Sequence, residues 1–229
     1  DAARLKKARV HPIAVLSALL TYKSGRGVRG SGTWVPVAKI VDALDAAFYA
    51  SFGAIESTGK RMLLALDVSG SMSCGDIAGV PGLTPRVGSA AMALVTAATE
   101  KDHHFVAFTS AQAGYGGKWG GGTSGITPLS ISPRQRLDDA VAEVSRLPMG
   151  GTDCALPMIW AAENEIDVDT FCVYTDNETW AGKVHPAQAL RAYRQARGIP
   201  AKLVVVGMTS TGFSIADPND AGMLDVVGF

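Results

Sequence analysis

Five oxygen-bearing side chains stand in three short stretches of the chain. Asp67, Ser69 and Ser71 alternate in "LLALDVSGSM", residues 63–72; Thr152 follows two glycines in "GGTDC", residues 150–154; and Asp176 follows an apolar run in "FCVYTDNETW", residues 171–180. An apolar run that ends in an acid reads as a buried strand with a carboxylate at its carboxyl end. In an open parallel sheet that is where ligands bind. Two carboxylates facing one dry crevice repel, and a divalent cation between them removes the conflict. A turn that wraps an ion lets Asp67, Ser69 and Ser71 converge, with Gly70 supplying the bend. Carboxylate and hydroxyl oxygens are hard ligands, so the ion they suit is Mg²⁺, or a similar divalent cation such as Mn²⁺. The bland alternative is that Asp67 caps a helix and the serines line a turn.

The elements that must position these groups are legible in the pattern. Residues 2–22 carry apolar residues at helical spacing and are split by His11-Pro12, which suits the first turn of a second helix. The stretch "KSGRGVRGSGTW", residues 23–34, reads as a loop. Residues 36–52 form the clearest amphipathic helix, with Val37, Ile40, Val41, Leu44, Phe48 and Phe52 in one stripe. From Lys60 onward strands and helices alternate. Strands are expected at Met62–Leu66, His104–Phe108, Thr170–Thr175, Lys202–Val206 and Met223–Val227. Helices are expected at Val87–Thr99, Arg134–Arg146, Leu156–Ala162 and Pro186–Arg197. Such alternation predicts a mostly parallel sheet with helices on both faces. The Gly-rich run 111–127 matches no phosphate-loop spacing and reads as a surface loop, with Tyr115 and Trp119 as candidate partner contacts.

Bulk properties narrow the class. The 229 residues carry no net charge and are 47% hydrophobic, which suits a folded α/β protein and excludes disorder or a coiled coil. The apolar runs are far shorter than the roughly 20 residues needed to span a bilayer. The chain opens on Asp1 with no visible secretory signal, which leaves room for an upstream segment. Cys74, Cys154 and Cys172 are widely spaced and form no CxxC pair, which argues for a reducing, cytoplasmic setting. The balanced charge is unevenly placed: before Gly30 stand seven cations (Arg4, Lys6, Lys7, Arg9, Lys23, Arg26 and Arg29) against one acid, Asp1. A basic end on a balanced chain suggests an anionic partner.

D-x-S-x-S, a later Thr after glycines and a later Asp after a strand together resemble the metal-ion-dependent adhesion site of von Willebrand factor A domains. That resemblance implies that Ser69, Ser71 and Thr152 reach the ion. It implies that Asp67 and Asp176 coordinate it directly or through water, with one position open to an acidic group on a protein partner. Longer strings are more specific. "GKRMLLALDVSGSM", "AGVPGLTPRVGSAAMALVTAATEKD", "GGTDCALPMIWA", "TDNETWAGKVHPAQALRAYR" and "PAKLVVVGMTSTGFSIADPNDAGMLDVVGF" look like the C-terminal half of the Ro (TROVE-domain) family. "VHPIAVLSALLTYKSGRGVRG" and "LDAAFYASF" look like the segment joining that family's HEAT-like helical-repeat ring to its A domain.

The family resemblance implies a Rossmann-like von Willebrand factor A domain over 59–229. Residues 1–29 would close the helical-repeat region, and 30–58 would be a linker and connecting helix. It further implies a ribonucleoprotein that binds small noncoding Y RNA and misfolded RNA in RNA quality control, mostly through upstream repeats. An exoribonuclease such as polynucleotide phosphorylase would be a partner. Lys6, Lys7, Arg9, Lys23, Arg26 and Arg29 are then candidate RNA contacts.

Two other classes compete with this one. An adhesion module without an RNA role would use the same metal site but has no need of the basic N-terminal segment. Catalysis is disfavoured. Hydrolases of the haloacid dehalogenase type place a second Asp where Ser69 stands, "DVSGSM" is no nucleophile elbow, and His185 and His11 each precede a Pro as helix openers.

Overall fold

The computed structural model describes residues 2–110, 125–176, 181–209 and 215–228. Tyr115, Trp119, Asn177 and Glu178 lie outside the described residues. Six strands form one sheet in the order β3-β2-β1-β4-β5-β6. They are β1 (Met62–Asp67), β2 (His103–Phe108), β3 (Ile126–Leu129), β4 (Thr170–Thr175), β5 (Lys202–Gly207) and β6 (Met223–Val227). All pairings are parallel except β2 with β3. Strand β1 is central, and its apolar run is continuous because both faces are covered. Leu64 and Leu66 pack on one side of the sheet, Leu63 and Ala65 on the other.

Helices α4 (Pro85–Thr99) and α5 (Leu137–Ser145) cover the first face; α6 (Leu156–Glu163) and α7 (Pro186–Arg197) cover the second. The N-terminal extension holds α1 (Ala2–Lys7), α2 (Pro12–Ser24) and α3 (Ala38–Ala50). Its Leu16, Leu19, Phe48 and Phe52 join the same apolar cluster as α4, so the extension shares a core with the sheet domain. The α3 stripe is only half used. Phe48 and Phe52 are buried, whereas Val37 and Ile40 are 51% and 44% exposed.

Local chemistry sets the ends of the elements. His11 and His185 both open helices: Nδ1 of His11 accepts from Ile13 N at 3.3 Å, and Nδ1 of His185 from Ala187 N at 3.2 Å, each followed by Pro at the first helical position. The helix expected from Arg134 begins at Leu137 instead. There the Tyr49 hydroxyl of α3 accepts Leu137 N at 2.9 Å, a tertiary cap with no local sequence signal. Strand β3 departs from the expected loop, which ran to residue 127. Four residues with Pro128 among them carry no alternation signal, and Pro is tolerated because β3 is the sheet edge.

At the amino ends of β1 and β4, Asp169 accepts Arg61 N at 2.9 Å and the Arg61 guanidinium at 2.7 and 3.1 Å. The Arg61 hydrogen bond holds the Asp169 carboxyl down at about 2, below the ordinary value of about 3.9. A depressed folded-state pKa means stabilisation present above the unfolded-state value and lost as pH falls toward the folded one. Chemical denaturation across acid pH should therefore show parent stability falling between about pH 4 and about pH 2. In Asp169→Asn this component of the slope should be absent; identical pH profiles for the two proteins would contradict the assignment.

Candidate metal centre and basic extension

Asp67 ends β1 fully buried. Three neighbours satisfy its carboxylate. Ser69 N donates to Oδ1 at 2.7 Å, and the hydroxyls of Thr152 and Thr175 donate to Oδ2 at 3.2 and 2.9 Å. After Asp67 the chain passes through extended Ser69 into a tight helical turn, Gly70–Ser73. This brings Ser69 Oγ and Ser71 Oγ to 3.1 Å of each other. Burial raises the Asp67 carboxyl above its ordinary range; the Ser69 and Thr175 hydrogen bonds pull it back, and the Asp176 charge adds to the rise.

The Thr152 loop is pinned to the end of β2. Thr109 Oγ1 donates to Gly151 O at 3.0 Å, Gly151 N donates to Ser110 Oγ at 3.2 Å, and Asp153 N donates to Thr109 O at 3.3 Å. Asp153 itself is buried, accepts Ala155 N at 3.1 Å at the start of α6, and has its carboxyl raised by burial. Asp176 follows β4 and is half-buried; its carbonyl is fixed by Thr209 N at 2.9 Å and Thr209 Oγ1 at 2.7 Å.

The structure thus joins Asp67, Ser69, Ser71 and Thr152 through hydrogen bonds and sets Asp176 near enough to act on Asp67 electrostatically. Sequence reasoning missed Thr175, Thr109, Ser110 and Arg86. Arg86 is 2% exposed; its guanidinium donates to Ser69 O at 3.0 Å and to Val144 O at 3.4 Å, and the nearby Asp67 charge opposes the lowering of its pKa by burial. Thr175 carried a usable signal, a hydroxyl at a strand end beside an acid. Arg86 carried none, since a cation in the first turn of a helix ordinarily faces water.

The oxygens suit a hard cation. Among the described residues no three His, Cys, Asp or Glu side chains gather as a metal cluster, so an ion here depends on the hydroxyls. Adjacent ligands of an octahedral Mg²⁺ at about 2.0–2.1 Å lie about 2.9 Å apart. The Ser69–Ser71 and Thr152–Asp67 oxygen separations, 3.1 and 3.2 Å, are close to that edge.

The six candidate RNA contacts are all exposed, and among the described residues none of their side chains enters an ion pair. They do not form one patch. Lys6, Lys7 and Arg9 sit at the end of α1 and the turn after it; Lys23, Arg26 and Arg29 sit at the far end of α2 and on the hairpin that follows. Thirteen residues of helix separate the groups, a rise of about 20 Å.

A mostly parallel open sheet, with D-x-S-x-S after the central strand and the Thr and Asp loops beside it, defines a von Willebrand factor A-type domain. The sequence pattern of the Ro60 vWA domain matches residues 61–229, and the chain belongs to that family. The chain is 52% identical over 229 residues to the RNA-binding protein RO60 of Deinococcus radiodurans, covering all of this chain and 40% of that protein. It is 43% identical over 230 residues to the RNA-binding protein RO60 of Caenorhabditis elegans, covering 33% of that protein. The crystal structure of the Deinococcus radiodurans Ro (RSR) protein matches with a TM-score of 0.89 over all of this chain and 43% of that one. The chain therefore spans less than half the length of these relatives.

Thr175→Val removes one donor to a buried carboxylate while keeping its shape. We expect a loss of about 1–3 kcal/mol in a denaturant titration. An unchanged midpoint would mean that water replaces the hydroxyl.

Proposed function

We propose that this chain is part of a non-catalytic, Ro-type RNA-binding protein whose A domain holds a divalent cation. The observation that carries the reading is 52% identity along the entire chain to a protein named for RNA binding. The basic extension supports it, because Lys6, Lys7, Arg9, Lys23, Arg26 and Arg29 are exposed to solvent, where phosphates can reach them. In this reading the RNA is small noncoding Y RNA and misfolded RNA under quality control, held mostly by upstream helical repeats, with an exoribonuclease such as polynucleotide phosphorylase as partner. The proposed setting is the cytoplasm. None of the three cysteines is disulfide-bonded, and among the described residues no helix is long and apolar enough to cross a membrane.

At the proposed metal centre Asp67, Ser69, Ser71, Thr152 and Asp176 hold Mg²⁺ or Mn²⁺, which supplies a Lewis-acidic point for an acidic protein ligand. The chain's own residues do the positioning: Arg86 holds the Ser69 carbonyl, and Thr109 and Ser110 hold the Thr152 loop. Mg²⁺ should raise the melting temperature of the parent and leave that of Asp67→Ala unmoved, with the sheet still folded by circular dichroism. An equal shift in both proteins would remove the metal assignment.

RNA binding is tested on the protein recovered from its own cells. Abundant small structured RNAs should copurify and be lost as salt is raised. Arg26→Glu with Arg29→Glu should weaken binding and flatten its salt dependence. RNA no richer than in a mock purification would favour an adhesion module acting through the cation alone.

A further inference from the structure

The hairpin after α2 is a constructed element. Gly25 ends α2 with φ of 71° and donates its N–H to Tyr22 O. A Cβ at Gly25 would lie 2.7 Å from Trp34 O, so both the backbone conformation and the space require glycine. Gly27 N donates to Gly32 O at 3.1 Å and Trp34 N to Gly25 O at 2.9 Å, pairing Arg26 with Thr33. At the base, the Trp34 ring stacks on Tyr22 at 5.9 Å, and its Nε1 donates to Tyr22 O at 2.8 Å. The glycine-rich tip is therefore fastened to the end of α2, a helix whose inner face is buried.

Between this hairpin and the turn at Ile77–Gly79 lies a cavity of about 340 Å³. Its lining includes Arg26, Ser31, Gly32, Thr33, Gly79 and Pro81, and no carboxylate. Among the described residues Arg26 has no ion-pair partner, and the amides of residues 28–32 donate to no protein acceptor. A guanidinium, two hydroxyls and free backbone amides, with no acid among them, select an anion. The space exceeds what an inorganic phosphate fills and is too small for a duplex. Lys23 and Arg29 are exposed neighbours along the chain, not part of the lining.

We propose that this cavity is a phosphodiester subsite for a single-stranded segment of RNA. The assignment rests on the RNA-binding reading above. Arg26 and the tip amides hold one phosphate; Gly32, lacking a side chain and with nothing within 4 Å of where a Cβ would stand, leaves room for the attached sugar. Such contacts position the strand without reading its bases.

Gly32 provides a test that leaves charge untouched. Its φ lies outside the positive region, and an added Cβ would meet nothing within 4 Å, so a side chain there adds bulk at the cavity lining without straining the backbone. Binding of a short, unstructured, fluorescein-labelled RNA to the 229-residue chain is measured by anisotropy over a range of salt. Gly32→Val should weaken binding about five- to tenfold with an unchanged salt slope. Arg26→Gln should weaken it and reduce the slope by about 1. Each variant is checked for an unaltered melting temperature, and Arg26→Gln carries the test if Gly32→Val fails that check.

Equal affinity of the parent and both variants would overturn the subsite while leaving RNA binding in place. A 229-residue parent that binds no RNA would overturn the subsite and leave the full protein's RNA binding to the copurification experiment above. In that case inorganic phosphate that raises the melting temperature of the parent, and not of Gly32→Val, would reassign the cavity to a free anion.

Discussion

The fold is organised around a carboxylate in the wrong place for a carboxylate. Asp67 is fully buried at the end of the central strand, where an unpaired charge costs several kcal/mol. Its three donors come from three places: the Ser69 amide on the turn after β1, the Thr152 hydroxyl on the β2-anchored loop, and the Thr175 hydroxyl on β4. Satisfying this one group fixes the relative positions of the turn after β1, the Thr152 loop and the end of β4 at the carboxyl edge of the sheet. The parallel pairing of β1 with β4 places Thr175 beside it, so register and site are one constraint.

Arg86 extends that constraint to the rest of the molecule. From the first turn of α4 it reaches the Ser69 carbonyl on one side and the Val144 carbonyl, near the end of α5, on the other. A cation near a helix C-terminus is favoured by the exposed carbonyls there. The opposite end of α5 is held by the extension: Arg136 pairs with Asp45 of α3 at 2.7 Å and lies 4.6 Å above the Tyr49 ring, while the Tyr49 hydroxyl accepts Leu137 N. One short helix therefore bears the site turn at one end and the N-terminal extension at the other.

The features legible in the sequence are those encoded by neighbours along the chain. Helix α7 falls within its expected ends because His185-Pro186 opens it and Gly198 closes it in a left-handed conformation. Strand β4 likewise falls within its expected ends. The start of α5, the edge strand β3 and the inward turn of Arg86 depend on groups far away in sequence, and no local pattern announces them. The α3 stripe misleads for the same reason. Helical periodicity marks which residues share a face, but Val37 and Ile40 show that it does not say what covers that face. At the site, the three motifs named the ligand-type oxygens but not Thr175, whose role appears only once β1 and β4 are paired.

The choice of hydroxyls around Asp67 has a physical reason that holds with or without an ion. A hydroxyl can donate its proton to the buried carboxylate and still offer lone pairs to a cation; a second carboxylate can do only the latter. An acid at the Thr152 position would add repulsion to a group that Asp176 already pushes upward. Thr152 and Thr175 allow the sheet edge to fold with its carboxylate satisfied. The proposed cation would then enter a site whose loops are already held, leaving the ordering of those loops outside the free energy of binding.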